Sequence, residues 1–210
     1  MPYIAANDPY RLIVDYDDDP DHPYEANDTL GTIAHWHRRM RLGGSKGILL
    51  PSDYASGEEA FEATIGVIGR DVLAFPLYFY DHSVQSISMA SFTGRAHHAN
   101  WNSGPVGYVY ATKATLREWF TVRRITAAIR TRAEAVLRAE VEQYDAYLRN
   151  DVYDFLLECR TTDADTEDSE WIEVDQGYGF YGTDWTTNGL LDTLPSDAQS
   201  LVANLQWVSS

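Results

Sequence analysis

The chain has 210 residues, a formal net charge of −16 and a sequence pI near 4.5. Hydrophobic residues make up 44% and aromatic residues 13%, which suffices for a buried core and excludes a wholly disordered acidic chain. The negative charge argues against direct nucleic-acid binding, because phosphate contacts need a basic surface. No stretch approaches roughly 18 apolar residues and the start lacks a signal-peptide pattern, so we expect a cytoplasmic protein without a membrane segment.

The N-terminal part of the chain predicts short elements separated by loops. Residues 10–16 (YRLIVDY) have the apolar centre of a strand, and the acidic residues 15–28, with their prolines, are typical of a surface loop. Residues 29–42 are predicted as a strand followed by a loop. Residues 57–69 are predicted as a helix, because Ser56 is a favourable N-cap and apolar positions recur at helical spacing.

The middle of the chain is rich in predicted strands. Apolar and polar side chains alternate there, which favours half-buried strands. The strands are placed at residues 77–82, around Ile87 and Met89, and at 106–111, with a loop at 91–105. Thr112 is then predicted to cap a short helix at 113–120.

A long amphipathic helix is predicted at residues 124–149. Apolar side chains recur there at spacings of three and four, and charges of alternating sign occupy another face. We expect the acids of this helix to pair with its arginines and to need no functional explanation.

The C-terminal part predicts a hairpin and a weak closing helix. Strands are placed at residues 152–160, 170–174 and 178–181, with an acidic turn at 161–169 and a helix at 196–206. The order of elements predicts a single α+β domain over residues 1–210, with a mainly antiparallel sheet, one long amphipathic helix and two or three shorter helices.

The composition of the charged residues offers one explanation of the acidity. Fourteen of the sixteen basic residues are arginine, and twenty of the thirty-two acids are aspartate. Short carboxylates hold water and ions, whereas the long lysine stem adds apolar surface, so this pattern is typical of adaptation to high salt. The alternative is that the acids mimic the phosphates of DNA.

An alternating run of aspartates is a candidate metal site. Asp15, Asp17, Asp19 and Asp21 point their carboxylates one way if the segment stays extended, and hard divalent cations bind such oxygen clusters. The sequence does not match a calcium-binding EF-hand loop, and a solvated acidic loop is the alternative. We therefore expect no cofactor, or at most a divalent cation.

A histidine and arginine cluster is a candidate anion-binding site. His35 and His37 share a face if they lie on a strand, and Arg38, Arg39 and Arg41 follow directly. Arginines grip phosphates bidentately and repel a metal cation. The alternative is structural, with the arginines paired to surrounding acids.

Two residues of the middle segment are weak catalytic candidates. His82 lies in the run Tyr80–Ser83, and Ser103 lies in the run 101–104 (WNSG), so the parts of a hydrolase triad are present. Neighbouring side chains on one strand point to opposite faces, so residues 81–83 cannot form a triad among themselves. The sequence also lacks a G-x-S-x-G nucleophile elbow, and a turn at Ser103 is the alternative.

The sequence resembles an uncharacterised family of small accessory proteins of phages, plasmids and integrated elements. The resemblance covers most of the chain and rests on residues 27–42 (NDTLGTIAHWHRRMRL), 77–83 (LYFYDHS), 101–111 (WNSGPVGYVYA), 140–153 (EVEQYDAYLRNDVY) and 177–182 (GYGFYG). Members often carry aspartate where this chain has Asn102. The resemblance implies a virus or mobile-element setting and supplies no activity.

These features favour an acidic accessory protein that binds a host or viral protein, as a counter-defence inhibitor would, over an enzyme. Its expected setting is the cytoplasm of a host cell, such as a high-salt archaeon. The expected interaction surface consists of surplus acids: Asp18, Asp163, Asp165, Glu167 and Asp168. The alternatives are a small metal-assisted hydrolase or nucleotide-acting enzyme, and a virion structural or assembly component.

Overall fold

A computed structural model describes residues 2–50, 54, 56–82, 84–95, 102–162 and 169–208. The strands are β1 (Tyr3–Asn7), β2 (Tyr10–Tyr16), β3 (Thr32–His35), β4 (Ile48–Leu49), β5 (Val72–Asp81), β6 (Gln85–Ser88), β7 (Ser103–Thr112), β8 (Val152–Thr162), β9 (Ser169–Tyr181) and β10 (Gln206–Trp207). The helices are α1 (Pro23–Ala26), α2 (Gly57–Ile68), α3 (Lys113–Trp119), α4 (Ala127–Leu148) and α5 (Leu190–Thr193), with 3-10 turns at Gly44–Lys46 and Gln199–Asn204.

These elements confirm an α+β fold with mainly antiparallel strands and one long helix. The chain divides into two compact units, the first formed by Met1–Asp21 with Asn150–Ser210 and the second by His22–Arg149. Each unit has its own five-stranded sheet, whereas the order of elements predicts one sheet. The prediction of a single domain over residues 1–210 stays a prediction.

The first unit is built on a fully antiparallel sheet with the strand order β10-β1-β2-β8-β9. One face carries the buried side chains Leu12, Val14 and Phe155, which pack against the segment that follows β9. Leu190 and Leu201 of that segment are completely buried, so the short helical turns near the C-terminus close this core.

The second unit is built on a sheet with the order β4-β3-β7-β5-β6, in which only the β3–β4 pair is parallel. Helix α4 packs on one face, where Leu137 and Val141 contact a core that includes Ile33, Leu77 and Val109. Ala34 and Tyr110 alternate with those strand residues and therefore face the other way. There, α2 contributes Ile68 to a smaller apolar cluster.

Helix N-caps fix where three helices begin. The Oγ atom of Ser56 accepts from the backbone N–H of Glu59 (3.2 Å), and the hydroxyl of Thr112 accepts from that of Thr115 (3.1 Å). Both caps confirm the prediction. Helix α4 begins three residues later than predicted, because Thr126 acts as its cap. None of the helices in the described part of the chain is long and apolar enough to cross a membrane.

Some boundaries differ from the predictions. Strand β5 begins at Val72, five residues earlier than expected, and β1 was not predicted. The weak helix expected at 196–206 is a 3-10 turn followed by β10. Strand β7 begins at Ser103, inside the loop expected at 91–105.

Candidate functional sites

The aspartate run does not assemble into a metal centre. Strand β2 ends at Tyr16, so the alternation that would align Asp15, Asp17, Asp19 and Asp21 is not maintained. Among the residues that the structure describes, no group of three or more His, Cys, Asp or Glu side chains is arranged to hold a metal ion. The structure therefore does not bring the predicted ligand set together.

Asp17 has a structural role at the end of β2. Its backbone N–H donates to the carbonyl of Val152 (2.9 Å), and its carboxylate accepts from the N–H groups of Asp19 (3.0 Å) and Gly179 (3.2 Å). Nearby, burial and the charges of Asp17 and Asp15 raise the pKa of Asp154. The first part of the acidic run thus fastens the β2 end to the β8–β9 hairpin.

The two histidines of the His/Arg cluster hold a loop. His35 ends β3 and is completely buried, with Nδ1 3.2 Å from the backbone N of His37 and Nε2 3.2 Å from that of Leu42. Burial, together with His37 and Arg41, lowers the pKa of His35 to about 4. A neutral imidazole has one acceptor nitrogen, so one of these two N–H groups bonds to the ring at a time.

His37 lies beyond the end of β3, so it does not share a strand face with His35, and the prediction of a shared face is wrong. Its Nδ1 accepts from the backbone N–H of Met40 (3.0 Å), and its ring packs on Phe79 with centroids 4.9 Å apart. Burial lowers its pKa as well. Both imidazoles are therefore neutral acceptors that shape residues 36–42.

The three arginines lie around one small cavity. Arg38, Arg39 and Arg41 line a cavity of about 250 Å³ together with both histidines. Arg41 is committed to the fold, because its Nη2 donates to the carbonyls of Ser45 (2.9 Å) and Gly47 (3.2 Å). The clustering agrees with the expected anion site, which stays a prediction.

The catalytic candidates lie close together in the second unit. Ser103 opens β7 and pairs with Tyr80 of β5, and His82 follows β5 with its ring stacked on that of Tyr80 (centroids 6.2 Å apart). His82 is exposed and Ser103 is half-buried. Ser83, the last residue of the YDHS run (residues 80–83), lies outside the described residues. A catalytic role for His82 and Ser103 stays a prediction.

The expected acidic surface is described only in part. Asp18 is exposed, whereas Asp163, Asp165, Glu167 and Asp168 lie outside the described residues. The strands that lead to and from those four residues are β8 and β9.

Strand β9 forms one edge of the first unit's sheet. It runs for 13 residues and, within the described ranges, β8 is the strand with which it pairs. Three of its apolar side chains are exposed to an unusual degree: Ile172 (46%), Val174 (52%) and Tyr178 (79%). Glu170 and Glu173 are exposed beside them. Exposed apolar side chains therefore lie beside carboxylates along this edge strand.

Two β-bulges interrupt the pairing of β9 with β8, one at Val174 and one near Tyr178. Leu157 pairs with Asp175 and Glu158 with Glu173, so Val174 has no partner on β8. At a second register shift, Tyr178 and Gly179 (φ +79°) lie opposite the single residue Asp154 of β8. A bulge leaves its extra residue out of the ladder and re-aims its side chain. The simple alternation in the sequence gave no signal of this exposure.

The basic residues nearest to β9 are already engaged. The guanidinium of Arg11 lies 4.6 Å from the centroid of Trp171, and its Nε is 2.5 Å from a carboxylate oxygen of Glu158. The guanidinium carbon of Arg160 lies 6.0 Å from the centroid of the same Trp171 ring. The guanidinium groups of Arg11 and Arg160 therefore contact Trp171, and Arg11 is also paired with Glu158.

No family model, curated protein or solved structure matches the chain.

Proposed function

We propose that the protein acts by protein–protein interaction, as an acidic accessory protein of a virus or mobile element that pairs an extended, basic segment of a host or viral protein with β9. The observation that carries this proposal is the 13-residue edge strand with its exposed apolar side chains between carboxylates. Inhibition of a host defence protein is the form of this activity that the mobile-element resemblance favours.

Strand addition explains why the edge is useful. An edge strand presents backbone N–H and C=O groups that a second extended chain can satisfy, and pockets or patches along it give specificity. On β9 the patches are Ile172 and Val174, which leave about half of their surface open. Apolar side chains of the partner would cover this surface, while the backbone supplies most of the hydrogen bonds.

Charge complementarity defines the partner. Glu170 and Glu173 are exposed on the strand, and the whole chain carries −16. A partner segment with Lys or Arg at alternate positions places cations opposite these acids, which favours association and speeds it. Pairing of β9 with a second copy would place carboxylates near carboxylates, so we favour a basic partner over a homodimer.

A synthetic peptide of alternating valine and lysine, acetylated and amidated at its ends, tests the proposal. Fluorescence anisotropy is expected to show saturable binding, and hydrogen exchange of the β9 amides is expected to slow in the complex. A peptide with the same sequence but N-methylated at alternate residues loses backbone donors and should bind at least about tenfold more weakly.

Charge reversal provides the matched variants. Glu170→Lys should weaken binding by about two- to fivefold, the range for one exposed ion pair. Glu118→Lys makes the same charge change at an exposed position of α3, in the other unit, and should leave the affinity unchanged. Equal binding of the N-methylated peptide, or dimerisation of the protein through β9, would overturn the proposal.

A further inference from the structure

A groove in the second unit runs between helix α4 and strand β6. It encloses about 530 Å³, within the range of small-molecule sites. Arg138, Glu142, Asp145 and Arg149 follow one another along α4 at spacings of four, three and four, so they line a single face of the helix. Strand β6 and the turn after it supply the opposite wall.

Asp145 fixes the two walls to each other. Its Oδ1 accepts from Ser86 Oγ (2.5 Å) and from the backbone N–H of Ile87 (2.8 Å). Its Oδ2 lies 3.6 Å from Nη1 of Arg149. The Asp145 carboxylate therefore joins helix α4 to strand β6 within the protein.

Arg95 is held at the rim of the groove by a set of acceptors. Its Nε donates to the carbonyl of Ser91 (2.9 Å), and its Nη2 donates to the carbonyl of Ala90 (2.7 Å) and to Ser88 Oγ (3.3 Å). Its guanidinium carbon lies 5.4 Å from the centroid of the Phe92 ring. A cation held in this way loses little side-chain entropy when it binds an anion.

Aromatic and apolar side chains form the rest of the lining next to Arg95. The rings of Tyr80 and Phe92 lie 5.7 Å apart, and Val84 and Met89 also face the groove. Tyr80 is half-buried and Phe92 keeps 8% of its surface exposed, so an aromatic ring of a ligand contacts Tyr80 and the small exposed part of Phe92, adjacent to the guanidinium of Arg95.

The charges of the lining favour an anion. Three arginines and two acids line the groove. Arg138 pairs with Glu134 (3.2 Å) and Arg149 with Asp145 (3.6 Å), whereas the acceptors described for Arg95 are two carbonyls and a hydroxyl, which leave its charge for an anion. Because Asp145 is hydrogen-bonded to strand β6, Glu142 is the acid of the lining that can bind a ligand. Its carboxylate accepts hydrogen bonds from hydroxyl or amino groups. The groove thus combines an anion-binding rim, an apolar wall and one acceptor.

We propose that this groove binds a small aromatic anion, that is, a planar ring that bears a phosphate or carboxylate group. The ring packs against Tyr80 and Phe92, and the anionic group pairs with Arg95. Hydroxyl or amino groups on the ligand bond to Glu142. The site lies entirely in the second unit and does not rest on the interaction proposed for β9.

Isothermal titration with defined probes tests this site. The probes are a nucleoside monophosphate, the matching nucleoside, an aromatic carboxylate, inorganic phosphate and acetate. The nucleotide or the aromatic carboxylate is expected to bind at a one-to-one ratio, and the comparison of the two identifies the anionic group. The nucleoside and the two bare anions should each bind at least about tenfold more weakly.

Variants on the groove locate the binding. Arg95→Gln should weaken binding of the favoured probe by at least about tenfold, as expected for loss of a charge-assisted hydrogen bond. Arg149→Gln is a second variant that leaves the Arg95 turn intact and should weaken binding severalfold. Arg130→Gln removes the same charge from an exposed position of α4 outside the groove and should change nothing.

Amide chemical shifts give a readout that needs no variant. The favoured probe is expected to shift the amides of Tyr80, of residues 84–95 and of residues 138–149. Absence of saturable binding, equal binding of a bare anion, or shifts confined to other residues would each overturn the proposal. Peptide binding at β9 would be untouched by any of these results, so the failures of the two proposals are distinguishable.

Discussion

Acidification is expected to destabilise the protein through His35. In the unfolded chain this imidazole titrates near 6.5, whereas burial in the folded protein lowers its pKa to about 4. Between these two values the unfolded state binds more protons than the folded state, so the free energy of unfolding falls as the pH falls. The full contribution of His35 is present above about pH 6.5 and is lost progressively toward about pH 4.

The structure sets the size of the effect. The difference between the His35 pKa of about 6.5 in the unfolded chain and about 4 in the folded protein corresponds to a contribution of about 3 kcal/mol at most to the free energy of unfolding. Relaxation of residues 36–42 and entry of water reduce this figure, so we expect a loss of about 1–3 kcal/mol between about pH 7 and about pH 4. Protonation also removes the ring's one acceptor nitrogen, so neither the N–H group of His37, which faces Nδ1, nor that of Leu42, which faces Nε2, can bond to the imidazolium.

Urea unfolding followed by tryptophan fluorescence at a series of pH values measures this loss. His35→Gln cannot titrate, so its stability should fall less steeply with decreasing pH than that of the wild type. Some slope will remain, because burial also lowers the pKa values of His22 and His37. An unchanged slope in His35→Gln would refute the reasoning.

Two further substitutions test the packing around α4. The Glu140 carboxylate accepts from the backbone N–H groups of Leu30 (2.6 Å) and Gly31 (2.9 Å). In Glu140→Gln the side-chain NH₂ group faces one of these donors, so the free energy of unfolding measured in urea should fall by about 1–3 kcal/mol. Unchanged stability would contradict this reasoning. The hydroxyl of Tyr24 is buried and has no hydrogen-bond partner among the described residues. Tyr24→Phe should therefore leave the thermal midpoint unchanged or raise it, and a marked fall would show that the hydroxyl is bonded.

Local signals predicted the elements that depend on neighbouring residues. Ser56 and Thr112 cap helices as expected, since a cap needs only a suitable side chain beside the first turn. Helix α4 follows from its apolar spacing, and strand β2 (Tyr10–Tyr16) coincides with the predicted range. Each of these predictions uses interactions between residues close together in the chain.

Pairing between distant strands could not be predicted in the same way. Strand β2 pairs with β8, more than a hundred residues later, and this pairing separates the strands into two sheets. Apolar alternation is the same whichever neighbour a strand takes, so the sequence gives no preference. The outward turn of Val174 has a similar origin, because a bulge depends on the register of both strands.

The candidate site residues show the same difference between contacts that are close in the sequence and contacts that depend on the packing of distant segments. The chain order placed Arg38, Arg39 and Arg41 together, and they do line one cavity. The groove of the second unit was not predicted, because Arg95 and Arg149 are far apart in sequence and meet through the packing of α4 on the sheet. Asp145 was expected to pair with Arg149, which it does loosely, while its stronger bonds go to β6.

The bonding of individual acids changes what the net charge means. Glu140, Asp145 and Asp17 accept directly from backbone N–H groups, so these carboxylates belong to the fold. Such contacts are hardly screened, whereas exposed charges on β9 act through water over a Debye length of about 3 Å in molar salt. Glu170 and Glu173 would therefore steer a basic partner at low salt and contribute little at high salt. If the protein works in a high-salt cytoplasm, backbone pairing and the exposed apolar side chains of β9 must supply most of the affinity, and peptide binding should weaken only modestly as salt rises.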